Sequence, residues 1–201
     1  MPDPFLGVVA DSAEIEAVRA ALNPRQFRQA MYQAVKRTTD AAKKIVSEQI
    51  EGEVNIKMSA LARHRATKDA IVTRLSKGEI PVGEVVISGK PLPMTAFLYK
   101  AYKKSGVVVA ITQNRSPVIL KHAFKQTLKS GHVGIFLRAT KGGKPVPRYP
   151  IREVYGPSIP SLVERPVIGN PIMEQLAARL HRELESQMDR FTKGGGNAGT
   201  I

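Results

Sequence analysis

Over the first fifty positions the apolar residues recur in steps of three and four. Phe27, Met31, Ala34/Val35, Thr38, Ala41/Ala42, Ile45 and Gln49 share one side of a helical projection, and Arg28, Lys36, Arg37, Lys43 and Lys44 fall largely elsewhere. The spacing predicts a long helix that opens at Asn23-Pro24, where asparagine supplies a cap and proline a preset first turn, and that ends near Gly52. Upstream, Phe5 to Ala10 predicts a short strand. Asp11 with Glu14 then makes a capping-box start to a helix carrying Ile15, Val18, Ala21 and Leu22 on one face. A second long stripe, Ile172, Leu176, Leu180, Leu184, Met188 and Phe191, follows another Asn-Pro start at Asn170-Pro171. Thr67 to Leu75 reads as a further helix with Gly78 as its stop, whereas residues 53–66 give no clean period.

Between the helices the pattern changes to short β-branched runs separated by turn residues. Gly83 to Ser88, Gly106 to Thr112 and Val133 to Leu137 have strand composition, and the GVVVAIT run at Gly106, the most apolar of them, is expected in the middle of a sheet. Gly89-Lys90-Pro91-Leu92-Pro93 breaks the chain before the apolar segment Met94 to Tyr99, and Gln113 to Pro117 is turn chemistry. Val118 to Phe124 and Lys125 to Leu128 are open between strand and short helix. After Leu137 the Lys-Gly-Gly-Lys-Pro-Val-Pro segment is too rich in glycine and proline for a helix, and the chain returns through a strand from Tyr149 to Tyr155 that Gly156-Pro157 closes. Ser158 then caps a helix. Strands clustered between helices predict an α+β fold: an antiparallel sheet of three to five strands packed by two long helices, with a projecting basic arm at about residues 138–148. Residues 1–193 are expected to form a single domain, followed by a Gly-rich tail at 194–201.

Charge changes this picture by its position more than by its total of +14. Residues 81–165 hold fourteen Lys and Arg against three Asp and Glu, whereas residues 1–22 hold one against four. A positive field concentrated on the sheet and arm attracts polyanions, either nucleic acid or an acidic protein face, and is also what a solvated surface would carry. Arg138, Lys141, Lys144, Arg148 and Arg152 are the candidate contacts to a partner or to DNA phosphates, with Tyr149 and Tyr155 available to stack on bases. Aromatics make up only 5% of the chain and Trp is absent, so base-specific reading is not expected.

Catalytic and cofactor chemistry finds few residues to use. The chain has no cysteine, which removes disulfides, thiol nucleophiles and cysteine-based zinc sites and fits a reducing compartment. His64, His122, His132 and His181 are scattered without metal-ligand spacing, so no metal is expected. Between residues 81 and 165 the only acids are Glu84, Glu153 and Glu164, too few for paired-carboxylate hydrolysis. Lys141-Gly142-Gly143-Lys144 lacks P-loop spacing and runs into prolines where a helix should start. Ser158 lacks the glycines of a nucleophile elbow. No enzyme activity and no cofactor are therefore expected. Without an apolar run long enough to span a bilayer or a basic leader at the N-terminus, the chain is expected to be made and used without export or membrane contact.

From about residue 5 to 191 the chain resembles the phage minor tail protein Z family, the tail-completion or neck proteins of long-tailed bacteriophages. The resemblance is carried by Ser88-Gly89-Lys90-Pro91-Leu92-Pro93 before Phe97, Lys104-Ser105-Gly106-Val107, His122-Ala123-Phe124, Gly134-Ile135-Phe136-Leu137-Arg138, and Pro150-Ile151 through Tyr155-Gly156-Pro157-Ser158 to Leu162, in that order. It implies a structural virion protein without catalysis. Such a protein is made in the host cytoplasm and assembled as a ring, hexameric by that implication, where tail meets head around the DNA channel. Its partners would then be further copies of itself and the adjacent tail-tube and head-completion proteins, with non-specific contact to genome DNA.

Overall fold

The computed structural model describes residues 12–56, 71–76, 81–102, 105–138, 140–141, 144–145 and 150–193. Helix α1 is Ser12–Ala21 and helix α2 is Pro24–Glu53, 30 residues long. The α2 start follows from local chemistry. Asn23 Oδ1 accepts from the backbone N–H of Arg25 at 3.1 Å and of Gln26 at 2.9 Å, while Gln26 Oε1 accepts in return from the Asn23 N–H at 3.3 Å. Those reciprocal bonds satisfy donors that the first turn otherwise leaves unpaired. The expected strand at Phe5 to Ala10 and the capping residue Asp11 lie outside the described residues.

Strands β1 (Ile71–Ser76) and β2 (Val82–Ile87) form an antiparallel hairpin from Ile71↔Ile87 to Ser76↔Val82. This corrects the helix expected over Thr67 to Leu75, of which residues 67–70 lie outside the described residues. Ile71-Val72-Thr73 is a β-branched run, and its six-residue ladder to another β-branched run outweighs a weak three-and-four spacing. Farther on, β3 is Pro91–Pro93, followed by a short 3-10 turn at Met94–Ala96, β4 (Leu98–Tyr102), β5 (Gly106–Ala110), β6 (Val118–Leu120), β7 (Ala123–Thr127) and β8 (Val133–Arg138). The stretches left open between strand and helix are thus the strands β6 and β7. Two two-residue strands follow, β9 (Thr140–Lys141) and β10 (Lys144–Pro145), then β11 (Ile151–Glu153) and β12 (Tyr155–Ser158). Helix α3 is Ile159–Val163 and helix α4 is Pro166–Lys193.

The fold is α+β, and its ladders are antiparallel throughout the described residues. They are short, with the orders β1-β2, β4-β5-β6, β7-β8-β11, β3-β12 and β9-β10. The GVVVAIT run is central to its ladder, as its apolarity predicts. Pro117 before β6 and the left-handed backbone of His122 (φ 63°) after it confine β6 to three residues and turn the chain toward a different ladder.

Two proline signals act differently from expectation. Helix α4 opens at Pro166, so Asn170-Pro171 lies inside it. Proline in a first turn sacrifices no helical hydrogen bond, which makes Pro166 an equally good start; Pro171, one turn later, removes a single donor. Gly156-Pro157 does not end a strand but sits within β12, which pairs with β3 from Tyr155↔Pro93 to Ser158↔Pro91 across a register shift. The shift absorbs the missing proline donor. At Gly156 any Cβ would overlap the ring of buried Phe97, so glycine lets β12 approach the core. Ser158 does cap α3, its Oγ accepting from the Ser161 N–H at 3.4 Å.

The described residues divide into two compact units, one drawn from 1–47, 71–87 and 166–201 and the other from 48–70 and 88–165. In the first, Met31 and Ala34 of α2 pack with Leu180 and Leu184 of α4, and Val18 of α1 and Leu22 just after it pack with Ala30, next to Met188 and Phe191. Arg37 Nη1 reaches Glu183 Oε2 at 3.2 Å across the α2–α4 pair. In the second unit, the end of α2 continues through Val54 and Ile56, which bridge to Thr112 and Phe97, and Asn55 donates to Ile111 O and accepts from Leu98 N. The buried side of α2 accordingly advances in fours through Ala34, Thr38, Ala42, Val46 and Ile50, not to the expected Ile45 and Gln49. That is a rotation of about 160° around the helix.

Asn23→Ala should lower stability by about 1 kcal/mol, read from the denaturant midpoint at unchanged m, because it removes the acceptor of two N-terminal donors.

Candidate interaction surface

The β7-β8-β11 ladder positions the residues expected to meet a partner. Register places Phe124, Phe136 and Glu153 in one row across the three strands, and Arg138 two residues beyond Phe136 on the same face. Arg138 is exposed, and its guanidinium carbon lies 5.1 Å from the centre of the Phe124 ring, a cation–π distance. Arg152 is also exposed but pairs with Leu137, which puts it on the opposite face. In the arm, β9 and β10 form a small hairpin with Lys141 directly opposite Lys144 and Gly142-Gly143 between them in sequence. Arg148 lies outside the described residues. Among the described residues these cations therefore do not form one row: Arg138 and Arg152 lie on opposite faces of the ladder, and Lys141 and Lys144 are register partners in the β9-β10 pair.

Sequence reasoning did not bring His132 and Glu153 together. Glu153 Oε1 lies 2.9 Å from His132 Nε2, and Glu153 Oε2 accepts from the Tyr155 hydroxyl at 2.8 Å. A carboxylate only accepts, so His132 carries its proton on Nε2. The His132 ring stands edge-on to Phe136 at 6.5 Å and 86°, and Phe136 lies 6.3 Å from Phe124. Space for the carboxylate is made by Gly134, where a Cβ would sit 2.7 Å from Glu153 Oε1 and 2.9 Å from the Phe136 ring. The hydrogen bond to Glu153, then partial burial, then the carboxylate's charge raise the Tyr155 phenol above the ordinary tyrosine value. One signal for this cluster was present in the sequence: Glu153 is the only acid between residues 85 and 163, and Tyr155 follows at the two-residue spacing of a shared strand face. His132, 21 residues away, needs the ladder register to find it.

Electrostatically the cluster matters because it withdraws that one carboxylate. The Glu153 side chain is 13% exposed, whereas Lys90, Lys100, Arg115, Lys121, Lys125, Lys129, Arg138 and Arg152 are all exposed. The strand-rich unit presents positive charge that its own acids do not offset. Among the described residues no three His, Asp or Glu side chains are grouped to hold a metal ion, and no helix is long and apolar enough to cross a membrane. Comparison with protein-family models, with curated proteins and with solved structures gives no match to the chain.

Because the Tyr155 phenol has a higher pKa folded than unfolded, its contribution to stability is complete below the ordinary value near 10.0 and fades as pH rises through the folded value. Tyr155→Phe should cost about 0.5–1 kcal/mol at pH 8, small because the residue is half-exposed, and the gap from the parent chain should close in denaturant titrations taken above pH 10.

Proposed function

We propose that the protein is a structural component of a bacteriophage tail, a tail-completion or neck subunit. In this reading it forms a ring at the head-proximal end of the tail and acts in tail assembly and head–tail joining around the DNA channel, without catalysis. The observation that carries the reading is the ordered run of family-like motifs, whose last and longest part spans β11, β12 and the start of α3. The basic arm supports it. A ring subunit must present two different faces to its neighbours, and an extended basic segment is a ready means of making such a heterologous contact. A hexameric ring and contacts to tail-tube and head-completion proteins belong to the same proposal.

Uncompensated positive charge on the strand-rich unit favours a second reading, a DNA-binding module without sequence preference. Phosphate contact needs only cations at suitable spacing, and Arg138 and Arg152 are exposed on the two faces of one ladder.

Deleting residues 140–147 separates the first reading from mere solubility. The shortened chain should keep its circular dichroism spectrum and lose both self-association in sedimentation velocity and addition to isolated tail ends. An intact chain that stays monomeric with tails present and is missing from purified virions would remove the proposal. For the second reading, affinity for a short duplex should fall steeply between 50 and 200 mM salt, and Arg138→Ala should reduce the log–log salt slope by about 1. Absence of binding at low ionic strength would reject it.

A further inference from the structure

The β4-β5-β6 ladder has two unlike faces. Val107 and Val109 of β5 are buried at 0% and 1% exposure and point, with Tyr99 and Leu120, to the inner side. Register puts Leu98 and Tyr102 of β4, Val108 and Ala110 of β5, and Ile119 of β6 on the other side. There Leu98 is 64% exposed, Ile119 57% and Tyr102 45%. Single exposed apolar residues are ordinary, but three of them beside the half-buried Val108 and Ala110 on one sheet face form a patch, with Lys100 on its β4 edge. At the Leu98 end a cavity of about 400 Å³ opens, lined in part by Val54, Ile56, Phe97 and Gln113, large enough to take an apolar side chain.

The surroundings of the patch are cationic along β4 and β6, whereas Glu51 lines the cavity at the Leu98 end. Lys100 stands on this face with its ammonium 5.4 Å from the Tyr102 ring centre, and Arg115 and Lys121 are exposed beyond either end of β6. No acid occurs between residues 85 and 152. An apolar centre with a charged rim is the anatomy of a protein interface, and here the rim calls for acidic residues opposite it. Duplex DNA matches the rim but not the centre, since phosphates gain nothing from Leu98 and Ile119. A second copy of the same face would bring cations against cations.

Size favours a helix as the occupant. Three strands spaced about 4.8 Å apart, two of five residues and one of three, make a face roughly 10 Å across and 17 Å long at its longest. A helix is about 10 Å across, and an apolar sheet face is ordinarily covered by an element of this kind.

We propose that the outer face of β4-β5-β6 is a docking surface for an acidic amphipathic helix of a protein partner, with one large apolar side chain of that helix entering the cavity beside Leu98. The proposal is independent of the virion reading.

The test uses the full chain and a labelled 18-residue helical peptide with leucines at i, i+3, i+4 and i+7 and glutamates flanking them, followed by fluorescence anisotropy. Saturable binding that weakens with salt, and that the Leu98→Ser/Ile119→Ser double variant weakens at least tenfold at an unchanged circular dichroism spectrum, is the expected result. As a second variant, Lys100→Glu should weaken binding of the acidic peptide and improve binding of a lysine-for-glutamate counterpart. The proposal is overturned by no binding at low salt, by binding the double variant leaves intact, or by equal binding of the lysine peptide to the parent chain. A 20-base-pair duplex whose affinity drops in the double variant would assign the face to nucleic acid and overturn it equally.

Discussion

The hydrogen bonds that His132 and Tyr155 donate to Glu153 determine the character of the strand-rich unit. Mechanically they tie the turn before β8 to β11 and to the start of β12, three places the backbone ladders alone leave loosely joined. Gly134 and Phe136 are fitted around the carboxylate. Electrostatically the same bonds take the one acid of a long cationic stretch off the surface. A carboxylate left free there would pair with a neighbouring lysine or arginine and neutralise part of the field. Held between two donors inside the molecule, it leaves that field to act outward.

Two ladders of that unit differ in what they expose. The β7-β8-β11 ladder exposes Lys125, Arg138 and Arg152, a surface suited to long-range attraction. The outer face of β4-β5-β6 is the reverse, with aliphatic side chains at its centre and charge at its margin, which suits a contact of fixed geometry. Exposed charge and exposed apolar area are thus concentrated on different ladders.

What the sequence made legible follows a physical line. Helix α2 and its Asn23-Pro24 start could be read because every term in them is local: a cap, a preset dihedral and a stripe at helical spacing. The central place of β5 was readable because only a strand covered on both edges tolerates so apolar a run. Reading failed where a distant partner decided between local options. Ile71 to Leu75 satisfies a helical spacing and a strand composition alike, and the ladder to Val82–Ile87 chose the strand. Pro166 and Asn170-Pro171 offer two starts for one helix, and the earlier one prevailed. Gly156 looked like a terminator because its real constraint, the ring of Phe97, lies 59 residues earlier in the chain. The cationic candidates were found one by one, but their distribution over two faces and a hairpin depended on register.

The packing of α1 and the start of α2 beside the end of α4 has a consequence for the order in which the molecule can form. Val18, Leu22 and Ala30 cluster near Met188 and Phe191, so the first unit completes its core only with the last helix of the described chain. During synthesis, at roughly 5–20 residues per second, α1 and α2 are made well before α4. The strands from β3 to β12 have their pairing partners within their own stretch and can close first. Through that interval the apolar stripe of α2 has no α4 to lie on. Its alanines and threonines, small and only weakly apolar, make it a less adhesive surface to leave waiting than a stripe of leucines would be.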